Sequence, residues 1–297
     1  MRYSSRWALA EKTLAIIDRY NEGATLSDVG SEFGASGATI RQILVDAGVK
    51  IRRPGNNRRR HALNENFFEH IDSEEKAYWV GFLLADGCIS ELKNGNEMFA
   101  LSLNLAKIDL MHIEKFRKAL GSSHKITEVK RDGSFVCRIN STKLCKDLIK
   151  LNITPRKTHT AIPAIVPEHL RRHYFRGLID GDGCIAKHPN ALGYSLQLAG
   201  TKAVVKDFST WLGLGGKNVY RIKNTSSLHF GLYTQQLVIN SLEKLYDGTN
   251  IYLDRKYERY QKAIQRWYSM PNRSAIQDRE TNLLRWIDLP KQLRLHF

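Results

Sequence analysis

The chain has 297 residues, of which 46 are Lys or Arg and 30 are Asp or Glu, giving a formal net charge of +16. A composition of 42% hydrophobic and 26% charged residues is that of a folded soluble protein, and the positive excess points to a polyanionic partner. No run of about 20 apolar residues reads as a membrane span, the N-terminal residues mix charges with apolar side chains instead of forming a leader, and the four cysteines include no C-x-x-C pair, which disfavours a zinc ribbon.

In chain order, the first signal is "WALAEKTLAIIDRYNEG". Leu9, Leu14, Ile17 and Tyr20 recur at helical spacing, and Gly23 closes the helix. "TLSDVGSEFG" predicts a second helix, N-capped by Thr25 or Ser27 and ended by Gly34. "ASGATIRQILVDAG" predicts a third, starting near Ser36, burying Ile40 and Leu44, and ending at Gly48. Three short helices with a tight turn before the last make a helix-turn-helix domain over residues 1–50. Its third helix would meet base edges with Gly37, Ala38, Arg41 and Gln42. A basic linker is expected over 51–71. Arg52, Arg53, Arg58, Arg59 and Arg60 stand there beside helix-breaking Pro54 and Gly55, and suit phosphates or a narrow minor groove.

The next signal is an internal repeat. "GFLLADGCIS" from Gly81 matches "GLIDGDGCIA" from Gly177 at a constant offset of 96, which pairs Asp86 with Asp182. After each copy an alternating strand appears: Phe99, Leu101, Leu103 and Leu105 in one, Tyr194, Leu196 and Leu198 in the other. A helix follows each strand, with Ile108, Met111, Ile113 and Phe116 apolar in the first and Val204, Val205, Phe208 and Trp211 in the second. A hairpin comes next, turning at Asp132-Gly133 in the first half, and each half closes with a helix near 141–150 or 235–246. The fold class is therefore α+β: two αββαββα units related by a pseudo-twofold, preceded by a small all-α domain. The expected boundaries are 72–166 for the first repeat and 167–268 for the second, with a tail over 269–297 to which no role is assigned.

The repeated glycines explain the apolar run. Gly81 and Ala85 share one helix face, as do Gly177 and Gly181, so two such helices can pack closely. That packing would bring Asp86 and Asp182 together at two helix C-termini. The helix dipole and the neighbouring like charge both disfavour a carboxylate there. A divalent cation would relieve both, which points to metal-assisted phosphodiester hydrolysis.

"WVGFLLADG" and "FRGLIDGDG" resemble the two motifs of the single-chain LAGLIDADG homing endonucleases, and the resemblance runs over about residues 72 to 268. It implies a DNA-binding saddle made of the two sheets, and a site-specific endonuclease that hydrolyses one phosphodiester on each strand of double-stranded DNA, leaving short 3′ overhangs. It implies Asp86 and Asp182 as essential acids, with two or more magnesium ions between the motifs and the backbone carbonyls of Ala85 and Gly181 as further metal ligands. Lys107, Lys157 and Lys256 fall at positions where the family places basic residues around the metals. Gly200 stands opposite Lys107 in this reading, which makes the two half-sites unequal. Strand alternation points Ser102, Asn104, Arg138 and Asn140 toward DNA in the first half, and Ser195, Gln197, Arg221, His229 and Tyr233 in the second.

A non-cutting DNA-binding regulator and an RNA maturase that assists an intron RNA are the alternatives on the same scaffold, and retention of both acids argues against the regulator. The expected protein is a monomer associated with intron mobility. It is intracellular with access to DNA: cytoplasmic in a bacterial or phage setting, an organelle being the other setting.

Overall fold

The computed structural model describes residues 12–51, 61–93, 97–187, 193–221 and 228–271. Leu9, the arginines at 52, 53, 58, 59 and 60, and the tail from 272 lie outside the described residues. The chain forms two units, 1–61 and 62–297. Among the described residues no helix is long and apolar enough to cross a membrane.

The first unit is three helices: α1 (Thr13–Asn21), α2 (Leu26–Phe33) and α3 (Gly37–Asp46). Thr25 caps α2 through a reciprocal capping box, its hydroxyl accepting from Asp28 N and Asp28 accepting from Thr25 N, both at 3.1 Å. Gly34 ends α2 in the left-handed region at φ 69°. A Cβ at Gly30 would stand 2.6 Å from the carbonyl oxygen of Ala35, so the tight turn needs glycine there. Ile16, Tyr20, Val29, Ile40 and Leu44 fill the core. The expected stripe on α1 is corrected at one position: Leu14 is 78% exposed and Ile16 takes its place, because the helix turns its 16/20 edge inward.

The second unit holds two copies of one plan. The first copy is α4 (Glu74–Asp86), β1 (Gly87–Lys93), β2 (Glu97–Leu105), α5 (Leu110–Ala119), β3 (Ile126–Val129), β4 (Ser134–Asn140) and α6 (Thr142–Lys150). The second is α7 (Arg171–Asp182), β5 (Gly183–Lys187), β6 (Tyr194–Gly200), α8 (Lys202–Trp211), β7 (Val219–Arg221), β8 (Leu228–Leu232) and α9 (Gln235–Tyr246), followed by α10 (Asp254–Tyr268). Each copy builds one antiparallel sheet, ordered β1-β2-β4-β3 and β5-β6-β8-β7. One side of each sheet is packed by leucines and phenylalanines at period two, among them Leu101, Leu103, Leu196, Leu198 and Phe230. On α5 the buried face is His112, Ile113 and Phe116. Ile108 at 78% and Met111 at 64% exposure point away from the core, contrary to the expected apolar set.

The linker expected over 51–71 ends earlier than its sequence suggests. Phe67 and Phe68 are buried in the core of the second unit, and Ala62 exchanges backbone and side-chain hydrogen bonds with Ser123.

The centre of the second unit is the pair α4 and α7. A Cβ at Gly81 would overlap the carbonyl oxygen of Tyr174, and a Cβ at Gly177 would overlap that of Tyr78. A Cβ at Gly181 would overlap the Ala85 side chain. The helices therefore meet backbone to backbone along the small-residue face. Arg176 bonds Glu74 at 2.7 Å and Arg255 bonds Asp109 at 3.0 Å, tying the two copies together at either side.

Candidate active site at the paired helix ends

Asp86 and Asp182 are the last residues of α4 and α7. The close helix contact upstream delivers both to one place. A Cβ at Gly181 would sit 3.3 Å from Asp86 Oδ2, so Asp86 leans across the last turn of the opposite helix. Both carboxylates keep an open side toward solvent. Surrounding protein nonetheless pushes the Asp86 carboxyl up to about 6, first by removing water and then through the charge of Asp182. Asp182 is also raised, by burial, against the opposing pull of Lys157 and Lys256.

A helix C-terminus leaves carbonyl oxygens without intrahelical donors. Here two lysines meet that need. Lys157 Nζ donates to Ala85 O at 3.3 Å and to Gly87 O at 2.6 Å. Lys256 Nζ donates to Gly181 O at 3.1 Å and to Gly183 O at 2.7 Å, the equivalent pair, and also to Ile179 O and Asp180 O, each at 2.6 Å. Burial lowers both ammonium groups, Lys256 to about 8. The Ala85 and Gly181 carbonyls, expected as metal ligands, thus already accept from lysine. Each keeps a second lone pair.

The charges cross between the copies. Lys256 pulls on Asp86 more strongly than Lys157 does, while Asp182 feels Lys157 first. Asp182 and Lys157 share a cavity of about 140 Å³ with Ala85, Gly200 and Thr201. On that side of the site the acid therefore comes from one copy and the lysine from the other.

The structure corrects the expected partner of Lys107. In the ladders Gly87 pairs with Leu103 and Gly183 pairs with Leu198, so Leu103 and Leu198 are equivalent. Counting on, Ala106 matches Thr201, which start the next turn and helix at nearly the same ψ, 154° and 161°. Lys107 then matches Lys202, and both are exposed. Gly200 matches Leu105, so it is not a missing lysine.

The same register sorts the sheet faces. Cys88, Ser102 and Arg138 lie opposite one another across the first sheet, as do Asn104, Val136 and Thr127, on the side away from the core. In the second sheet the equivalent rows are Cys184, Gln197 and Gly231, and Ala199, His229 and Tyr220. Ser102, Asn104, Arg138, Asn140, Gln197, His229 and Tyr233 take the expected face. Ser195 is on that face but buried, like its equivalent Ala100, as a floor position under its neighbours. Arg221 is corrected: it pairs with Leu228 on the core parity, and Tyr220 takes the outward position. Tyr220 stacks on His229 and its hydroxyl meets that of Tyr233 at 3.0 Å, the rings closing over Gly231. In the first unit Gly37, Arg41 and Gln42 open α3, with Arg41 and Gln42 exposed and Gln42 bonded to Asp46 at 2.8 Å.

Among the described residues no cluster of three or more His, Cys, Asp or Glu forms a closed metal cage. Two carboxylates with flanking carbonyls are an all-oxygen donor set. That set fits a hard cation that keeps several waters and takes further oxygens from a phosphate.

Residues 10–53 match the family model for sigma-70, region 4. No curated protein matches the chain. Solved structures similar to it include the meganuclease I-SmaMI bound to uncleaveable DNA, at 16% identity over 72% of this chain and 97% of that one with a TM-score of 0.46. They also include the LAGLIDADG homing endonuclease I-LtrWI bound to target DNA, at 12% identity over 74% and 97% with a TM-score of 0.46. A third is the LAGLIDADG meganuclease I-CpaMI bound to uncleaved DNA, at 14% identity over 67% and 99% with a TM-score of 0.43.

Proposed function

We propose that the chain is a site-specific double-stranded DNA endonuclease dependent on divalent metal. The observation that carries this reading is the convergence of Asp86 and Asp182 at two abutting helix ends, beside a buried Lys256 and a half-buried Lys157. The carboxylates would hold magnesium, with the remaining positions left to water and DNA phosphate. When bound, the metal supplies charge neutralisation at the scissile phosphate and acidifies the attacking water. Lys157 and Lys256 fix the last turns of α4 and α7, respectively, and would set positive charge where the phosphorane develops. The crossed pairing gives two half-sites, one per strand, and the products would be short 3′ overhangs.

The outward rows of both sheets supply groups for base edges, Arg138 for guanine and Asn104, Asn140 and Gln197 for adenine. The helix-turn-helix unit and the arginines at 52–60 would lengthen the target through a further groove contact and phosphates. The net charge of +16 suits that partner.

The test is incubation with magnesium and an uninterrupted copy of the chain's native insertion locus, beside Asp86→Asn and Asp182→Asn. The parent should cut both strands, and each variant should lose at least about 100-fold in rate. Tight binding without cutting by the parent would replace the nuclease with a DNA-binding regulator.

A further inference from the structure

We propose that Asp180 is a positioning residue for one half-site only, acting through Lys256, and that the two DNA strands are therefore cut by unequally built sites. This rests on the nuclease reading above. Asp180 is fully buried, on α7 two residues before Asp182. Its carboxylate accepts from Tyr78 Oη at 2.7 Å, Tyr246 Oη at 2.6 Å and Leu253 N at 2.7 Å. Those donors come from α4, from the end of α9 and from the residue that begins α10.

The Leu253 bond closes a loop. Leu253 is the N-cap residue of α10, and Lys256 follows within the first turn. From there Lys256 reaches back to four carbonyls at the end of α7, including that of Asp180 itself. The Asp180 side chain thus holds the start of α10, and α10 returns its ammonium to the helix that carries Asp180. Lys256 is only 2% exposed and has one place to be.

The first copy lacks this device. Leu84 stands where the second copy has Asp180. Lys157 belongs to a short 3-10 turn (Lys157–His159) that follows Arg156 in the left-handed region, and it holds two carbonyls beside an open cavity. One ammonium is locked before DNA arrives. The other has room to move.

Replacing Asp180 by Asn keeps the shape but turns one acceptor oxygen into an N–H2 group that faces donors. The start of α10 must then shift, and the Lys256 ammonium shifts with it. Lys157 donates instead to the carbonyls of Ala85 and Gly87 and makes no hydrogen bond to Asp180, Tyr246 or Leu253.

The experiment is single-turnover cleavage with each strand end-labelled separately, comparing the parent with Asp180→Asn. Lys256→Met and Lys157→Met identify which strand each lysine serves. Asp180→Asn should slow the Lys256-served strand by about 10-fold or more, as losses of supporting groups do, and leave the other strand within about twofold. Nicked intermediate should accumulate. Equal slowing of both strands would reduce Asp180 to a structural residue and overturn the proposal, and so would no slowing of either. If Asp180→Asn fails to fold, Tyr246→Phe removes one bond from the same carboxylate, and the same strand bias is expected at smaller size. A parent that cuts neither strand overturns the nuclease reading itself, whereas a cutting parent with an unbiased variant overturns only this inference.

Discussion

The two copies in the second unit agree where backbone meets backbone and differ where side chains meet. Both motif helices end in an acid, both carry a glycine against the partner's carbonyl, and both have a lysine on equivalent carbonyls. Around that shared frame the chemistry diverges. One motif helix carries a buried carboxylate held by two tyrosines, and the other carries a leucine at the same place. One sheet presents Arg138 and Asn140 where the other presents Gly231 and Tyr233. A duplicated frame fixes where a reaction can happen, and the residues placed on it decide how each half performs.

The shared frame is the place to break the comparison hardest. Gly81→Ala and Gly177→Ala should each destabilise the second unit by about 3 kcal/mol or more, because the added methyl meets a backbone carbonyl that cannot rotate away. Denaturant midpoints should fall by similar amounts for the two. A clearly larger loss for one would mean that the helices are not equivalent in their contact.

A difference between copies should appear on acidification. Burial, reinforced by Lys115, holds the His112 imidazole down to about 3, against 6.5 for a free histidine. Between those values the unfolded chain binds a proton that the native one refuses, so stability falls as pH drops through this window and is regained above it. His112→Gln should flatten that fall in urea melts at pH 4 and leave stability at pH 8 closer to the parent. A parallel fall in both proteins would assign the acid sensitivity elsewhere.

The outward faces predict unequal reading of the target. Tyr220, His229 and Tyr233 form an aromatic surface suited to thymine methyl groups, and Arg138 suits guanine. Deoxyuridine in place of thymidine should weaken binding several-fold in the half facing the second sheet, and hardly at all in the other. Arg138→Ala should cost about 1–3 kcal/mol at one guanine of the first half. Equal sensitivity of both halves to deoxyuridine would dissolve the distinction.

The smallest effect should be the most symmetric. Lys107→Ala and Lys202→Ala should each slow one strand by a similar, modest factor in single-turnover assays. An effect of Lys107→Ala alone would restore the unequal pairing that the sequence suggests.

Much of this was legible before the structure. Periods of two and 3.6 marked strands and helices, and a constant offset of 96 placed both acids at once. What failed to show depended on register. Aligning "NLAK" with "QLAG" matches Lys107 to Gly200 at an offset of 93, whereas the ladders set the second strands at an offset of 95, which makes Lys202 its mate. β7 is three residues long, too short for alternation to set the phase of Arg221. Asp180 reads as a motif letter because its partners Tyr246 and Leu253 lie 66 and 73 residues away. The carbonyl cages of Lys157 and Lys256 are backbone features and leave no mark on residue identity.

The contact of Gly81 and Gly177 with main-chain oxygens has a consequence for inheritance. A contact made of backbone carries almost no side-chain address, so what records which half belongs with which is the few bonds around it, Arg176 to Glu74, Arg255 to Asp109 and Tyr78 to Asp180. Halves drawn from two such proteins should dock wherever those few side-chain pairs are matched, and a chimera of that kind would acquire a new composite target in a single exchange.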